Sequence, residues 1–113
     1  MSVVSKTIKY LLDKNISVST AESCTGGLLA AEFTAVSGIS KIYKTGLITY
    51  SNDSKIKNLK VKPSTIKRYG AVSRQVCAQM CLHLHKISKS QLCLLYTSPS
   101  PRDQRGSRNP ACA

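Results

Sequence analysis

Thr20-Ala21-Glu22-Ser23-Cys24-Thr25-Gly26-Gly27 places hydroxyls between a short alternating stretch and a strongly helical one. A serine at such a junction stands on a tight turn at the carboxyl edge of a sheet, where α/β proteins build their sites. The helix beyond it aims unpaired N–H groups and the positive end of its dipole at the same spot. That environment suits an oxyanion or a phosphate. Gly26 and Gly27 let a ligand approach the backbone closely. Taken alone, Ser-Cys-Thr-Gly-Gly is equally well read as helix N-cap chemistry, with Ser23 or Thr25 as the cap.

A second group is Thr49-Tyr50-Ser51-Asn52-Asp53-Ser54-Lys55. A lysine beside a serine acts as a general base when burial or its neighbours depress its pKa, and a tyrosine hydroxyl can relay the proton. Tyr50 and Lys55 are five apart, not the four of the short-chain dehydrogenase pair, and no Gly-x-Gly-x-x-Gly fingerprint is present. The plain alternatives are a solvated Lys55 and an edge-strand Tyr50.

The elements that must position these residues follow from periodicity. Val4, Ile8, Leu11 and Leu12 share one face of a helix over 3–14. Residues 16–21 alternate as a strand. Residues 28–36 read as a helix ending near Ser37-Gly38. Residues 42–50, rich in Ile, Tyr and Thr, predict a second strand. Ser51-Asn52-Asp53 caps a short helix through about Leu59, and Pro63 opens another that ends at Gly70. Ser73 caps a helix over 74–87, and a third strand starts at Gln91 to Leu95. Alternating helix and strand implies an α/β layer architecture. Two or three strands are few for that class, so only its N-terminal part is expected here.

At 113 residues there is room for one domain. No run approaches the roughly 18 apolar residues of a membrane span, and the N-terminus lacks the regions of a secretory signal. A cytoplasmic location is expected. The five cysteines have no disulfide-framework spacing, and their odd number leaves one unpaired. Cys77 and Cys81 share a helical face and read as small buried apolar residues rather than a metal half-site. His83 and His85, two apart, point to different faces, so no metal site is expected.

The formal charge of +12 suggests a polyanion partner. However, the lysines are dispersed, only Tyr43 interrupts their densest run, and the abundance of Lys, Ile, Ser and Asn fits A/T-biased codons. Nucleic acid is therefore not the expected partner. An anionic small molecule would be attracted by the same field.

After Leu92 the composition changes. Cys93-Leu94-Leu95-Tyr96-Thr97-Ser98 is what TGT CTC TTA TAC ACA TCT encodes, and Pro99-Ser100-Pro101-Arg102-Asp103 follows from CCG AGC CCA CGA GAC. This run resembles the transposase end of sequencing-library adapters, and 107–113 resembles the adapter's distal end with read errors. Residues 93–113 are accordingly expected to be a disordered translated adapter, and 1–92 a partial domain cut short near Leu92. Discounting the tail's net +2 leaves +10 on 1–92.

Residues 20–27, 49–55 and Gly70-Ala71-Val72-Ser73 together resemble the CinA C-terminal domain family, with spacing intact over about residues 3–92. The resemblance implies a three-layer α/β/α sandwich. It also implies hydrolysis of the carboxamide of nicotinamide mononucleotide, giving nicotinate mononucleotide and ammonia, with a small-molecule nucleotide as substrate and no cofactor. Ser23 is implied as nucleophile, activated by Lys55 and Tyr50, in preference to its neighbour Cys24. Thr25, Gly26, Gly27 and the helix start are implied as oxyanion or substrate contacts. Ser40 falls where the family often has a Gly-Ser-Ser turn near the substrate.

Ile39 replaces the first serine of that turn, Asp53 stands where glutamate is usual, and Tyr69 replaces a histidine. The family's Gly-Ile-Ala-Gly-Pro loop and later segments are not in the chain. The 113-residue polypeptide is therefore expected to be inactive and poorly stable, and the longer parent to be active, bacterial and often dimeric. Met1 lies so near the first helix that a stand-alone form is expected. The alternatives are a non-catalytic competence-related module binding nucleotide or nucleic acid, or a relative that keeps the fold without the activity.

Overall fold

β1 (Val18–Glu22) is buried along its whole length, as a central strand covered on both faces must be. A computed structural model of the chain, which describes residues 3–96, places β1 between β2 (Tyr43–Ile48) and β3 (Leu92–Tyr96). Both pairings are parallel. α1 (Val3–Asp13) precedes β1, while α2 (Leu28–Thr34) and a 3-10 turn (Ile39–Lys41) lead to β2. α3 (Asn52–Leu59), α4 (Pro63–Tyr69) and α5 (Arg74–Ser88) lead from β2 to β3.

Strand alternation divides the core into two. Val18 packs with Ile8, Leu11, Phe33, Ile39 and Ile42, against Leu92 and Leu94. Ala21 faces the other way and packs with Leu59, Val61, Val76, Met80 and Leu84, against Cys93 and Leu95. α1 and α2 thus cover one face and α3 to α5 the other, giving the α/β/α layers expected. From β1 the chain crosses first to one side of the sheet and later to the other. The carboxyl end of β1 is therefore a topological switch point.

Local chemistry sets the helix ends. Ser51 and Ser73 cap α3 and α5 by accepting from the amides of Ser54 and Val76, and Pro63 occupies the first turn of α4. One boundary differs from expectation. Cys93 to Tyr96 belong to β3 rather than to a disordered tail. Leu92 and Leu94 enter one core while Cys93 and Leu95 enter the other, so this apolar run has the pattern of a strand covered on both faces. The rest of the proposed adapter-derived tail, 97–113, lies outside the described residues. Among the described residues no helix is long and apolar enough to cross a membrane.

The pairing of β2 with β1 is irregular. Val18 pairs with Tyr43 but Ser19 with Thr45, so Lys44 is skipped. The irregularity brings Tyr43 over Gly46, with its ring stacked 5.2 Å from Phe33 and its hydroxyl 2.6 Å from Thr20 Oγ1. A Cβ at Gly46 would collide with the Tyr43 hydroxyl. Gly46→Ala is expected to cost about 1–3 kcal/mol by overpacking, measured by urea unfolding. Tyr43→Phe in the same chain, which deletes the obstructing oxygen, should recover part of the loss. An unchanged midpoint for the single variant would refute the packing account.

Candidate active site

Adjacent residues of a strand face opposite sides, so Glu22 and Ser23 leave the end of β1 in opposite directions. Ser23 turns to the layer of α3, as Ala21 does. There Lys55 Nζ donates to Ser23 Oγ at 3.0 Å. The same ammonium donates to the Thr49 carbonyl at 3.0 Å and, more weakly, to the Tyr50 carbonyl at 3.5 Å. Lys55 lies in the first turns of α3, whose start is fixed by the Ser51 cap, and its amide donates to the Ser51 carbonyl.

Ser23 and Lys55 are only 2% and 3% exposed. A lysine so placed ordinarily meets a carboxylate, yet every partner of this Nζ is neutral. Burial pushes its pKa below the ordinary 10.5, because desolvation disfavours the charged form. Among the described residues the ion pair is elsewhere, between Lys57 and Asp53 on the surface of α3. Among those residues, too, no group of three or more His, Cys, Asp or Glu is placed to hold a metal ion. Cys77 and Cys81 are half-buried on α5, with both thiol pKa values pushed up by burial.

Glu22 turns to the α2 layer and is 1% exposed. Its Oε1 accepts from Thr25 Oγ1 and from the Leu29 amide, both at 2.7 Å, and its Oε2 accepts from the Ala30 amide at 2.8 Å. The N-cap residue of α2, Gly27, has no side chain to offer and is left-handed at φ 110°. Glu22 supplies the cap from the preceding strand. Between them the Gly26 amide donates to the Ser23 carbonyl at 3.1 Å, closing the turn, and Gly26 is left-handed at φ 64°.

The expected site residues are therefore sorted. Ser23 and Lys55 come together. Tyr50 reaches the pair through its main-chain carbonyl, while its side chain stands 44% exposed and its hydroxyl is not joined to either partner. Thr25 is beside Ser23, with its hydroxyl committed to Glu22. Gly26 is exposed on the turn, and Gly27 packs under Ile48. The start of α2 does not present all its amides to a ligand, because Glu22 already holds those of Leu29 and Ala30.

Ser40 is not part of this cluster. It precedes β2, whose first residue pairs with Val18 at the amino end of β1. Ser23 follows the other end, about 16 Å away at roughly 3.3 Å per residue. Parallel pairing forces that separation.

Glu22 lies inside the 20–27 motif, where residue type alone gives it no role. The signal for it was a helix start with glycine at its cap and no acid in its first turn. The carbonyls of Thr49 and Tyr50 carried no sequence signal at all.

A family model described as the CinA C-terminal domain matches residues 1–103. A putative competence-damage inducible protein of Acetivibrio thermocellus is 47% identical over 89 residues, which is 79% of this chain and 22% of that protein. One of Clostridium novyi is 50% identical over 84 residues, 74% of this chain and 20% of that protein. The chain thus spans about a fifth of the length of these curated relatives. Among solved structures, a CinA superfamily protein from Escherichia coli matches with TM-score 0.76 and 31% identity, covering 85% of this chain and 58% of that one. CihA from Agrobacterium tumefaciens matches with TM-score 0.78 and 32% identity, covering 88% and 67%.

The lysine's environment has a thermodynamic signature. Its folded pKa is lowered, so the unfolded chain holds this proton to higher pH than the folded one does. Below the folded pKa both states are charged and the burial penalty is complete. Between the folded pKa and 10.5, unfolding takes up a proton and stability rises with pH. Urea melts across that window should show a rise that Lys55→Met lacks. Parallel pH profiles for the two proteins would contradict a depressed Lys55.

Proposed function

We propose a function for a chain that belongs to the CinA C-terminal domain family: it carries the nucleophile and base of a serine-dependent amidase. The substrate proposed is nicotinamide mononucleotide, and the products are nicotinate mononucleotide and ammonia. The observation that carries this reading is the buried contact between Lys55 Nζ and Ser23 Oγ, with no carboxylate on the lysine.

When Lys55 is neutral, its two protons can stay on the Thr49 and Tyr50 carbonyls, and its lone pair faces the Ser23 hydroxyl. Ser23 Oγ then attacks the carboxamide carbon while its proton passes to Nζ. The charge gained by Lys55 stands beside Ser23 Oγ and offsets the negative charge that forms on the substrate. Lys55 next gives its proton to the departing nitrogen, the C–N bond breaks, and ammonia leaves an acyl group on Ser23. Water adds to that ester with Lys55 again taking the proton. Lys55 returns it to Ser23 as the C–O bond breaks, and the acid so formed releases its remaining proton to solvent or ammonia and departs as the carboxylate. Burial serves this cycle by keeping the lysine neutral at lower pH than an exposed one.

Tyr50, with its ring at the open edge, is assigned to the substrate rather than to activating Ser23. Gly26, exposed on the turn, offers close approach. A second reading, a non-catalytic nucleic-acid module, draws on Lys57, Lys60, Lys62, Lys67, Arg68 and Arg74, all exposed on or between α3, α4 and α5.

The full-length gene product is expected to release ammonia from nicotinamide mononucleotide. Ser23→Ala should abolish release, and Lys55→Met should slow it by about 10²–10⁴-fold. The wild-type rate should rise with pH through a midpoint below 10.5. No ammonia, together with DNA binding that falls steeply with salt, would favour the second reading.

A further inference from the structure

We infer that Glu22 is a positioning residue, whose buried carboxylate fixes the turn that presents Ser23 to Lys55. The inference rests on Ser23 being the nucleophile. Both oxygens of Glu22 accept and neither donates, as in an ionised carboxylate. Its donors are one hydroxyl in the turn and two amides in the first turn of α2, so a single group ties the end of β1 to residues 25, 29 and 30. Charge-assisted bonds to backbone N–H groups are among the stronger hydrogen bonds, and the α2 dipole favours negative charge there.

Strand geometry gives the tie its reach. Glu22 and Ser23 are consecutive and point to opposite layers, so anchoring the first side chain in the α2 layer fixes the direction of the second towards α3. The main chain at Glu22 and Ser23 is held by the flanking strands, through the Thr49 amide on the Glu22 carbonyl at 2.8 Å and the Ser23 amide on the Tyr96 carbonyl at 3.1 Å. The carboxylate therefore acts on the turn that follows. Gly26 and Gly27 are both left-handed, Gly27 has no side-chain cap, and a Cβ built on Gly26 meets nothing within 4 Å. Without the carboxylate, the Leu29 and Ala30 amides lose their partner and the turn loses its tie to α2, keeping the Gly26 amide on the Ser23 carbonyl. Ser23 then leaves the lysine by an amount that small misplacements make costly, on the order of 10²-fold in rate.

The test is phosphonylation of Ser23 by a fluorophosphonate in the full-length gene product, followed by intact-mass spectrometry. Ser23 Oγ forms a bond to phosphorus, the P–F bond breaks, fluoride leaves, and the serine proton passes to Lys55. Glu22→Gln keeps the size and loses one acceptor. Labelling per folded molecule should slow roughly 10- to 100-fold, and hydrogen exchange at Leu29 or Ala30 should accelerate. The pH midpoint of labelling, set by Lys55, should stay in place, whereas a general loosening of the fold would move rate and midpoint together.

Thr25→Val, which removes one donor without stranding a carboxylate, should slow labelling in the same direction by a smaller factor and serves if Glu22→Gln does not fold. Wild-type labelling rates in whichever of these variants is folded would overturn the positioning role while leaving Ser23 as nucleophile. A wild-type full-length product never labelled at Ser23 would overturn both.

Discussion

A lysine ammonium kept out of water without a counter-charge is the constraint around which this domain is arranged. Such a group costs several kcal/mol to bury when it is charged and uncompensated. The fold answers with dipoles rather than an acid, namely two main-chain carbonyls and one hydroxyl. Those dipoles hold Nζ in place while leaving the protonated form disfavoured. A carboxylate in the same position would have secured the charge and made the amine a poor base. The central burial of β1, the Ser51 cap and the course of the chain from Thr49 into α3 all serve that one contact.

The two acid–base groups at the end of β1 have been separated by the simplest device a strand has. Glu22 and Ser23 are neighbours in sequence, yet alternation sends the carboxylate to one layer and the hydroxyl to the other. Had the register slipped by one residue, Glu22 would have faced Lys55 and formed the salt bridge that the proposed chemistry must avoid. The helix dipole that sequence considerations offered to a ligand is largely satisfied from within. The anionic substrate proposed would then draw on other groups.

Much of this was legible in the residues. The period of Val4, Ile8 and Leu11 gave α1, and Ser51, Pro63 and Ser73 marked helix starts that the structure places within a residue of expectation. Ser23 and Lys55 were found from chemical type and from a family resemblance. Other features were not legible, for different reasons. The contribution of Tyr50 comes from its main chain, which every residue type possesses. Ser40 lies at the far edge because a parallel strand must run its full length between the loop before it and the site after it; topology, not residue type, carries that information. At Cys93 to Tyr96 the strand pattern of 91–95 prevails over the disordered-tail reading, because packing responds to apolar side chains in alternating positions, whatever the origin of the codons.

The two margins of the sheet are unequal. On the β2 side, a skipped Lys44 distorts the ladder, and a lysine on an outer strand discourages further pairing. On the β3 side, Leu92 to Leu95 carry no charge and are only half-covered, although each side chain already points into a core. Sheet growth is therefore vectorial: any additional strand, from this polypeptide or from another molecule, will find a welcoming flank beside β3 and a guarded one beside β2. During expression and concentration, self-association by strand addition would begin on that one flank.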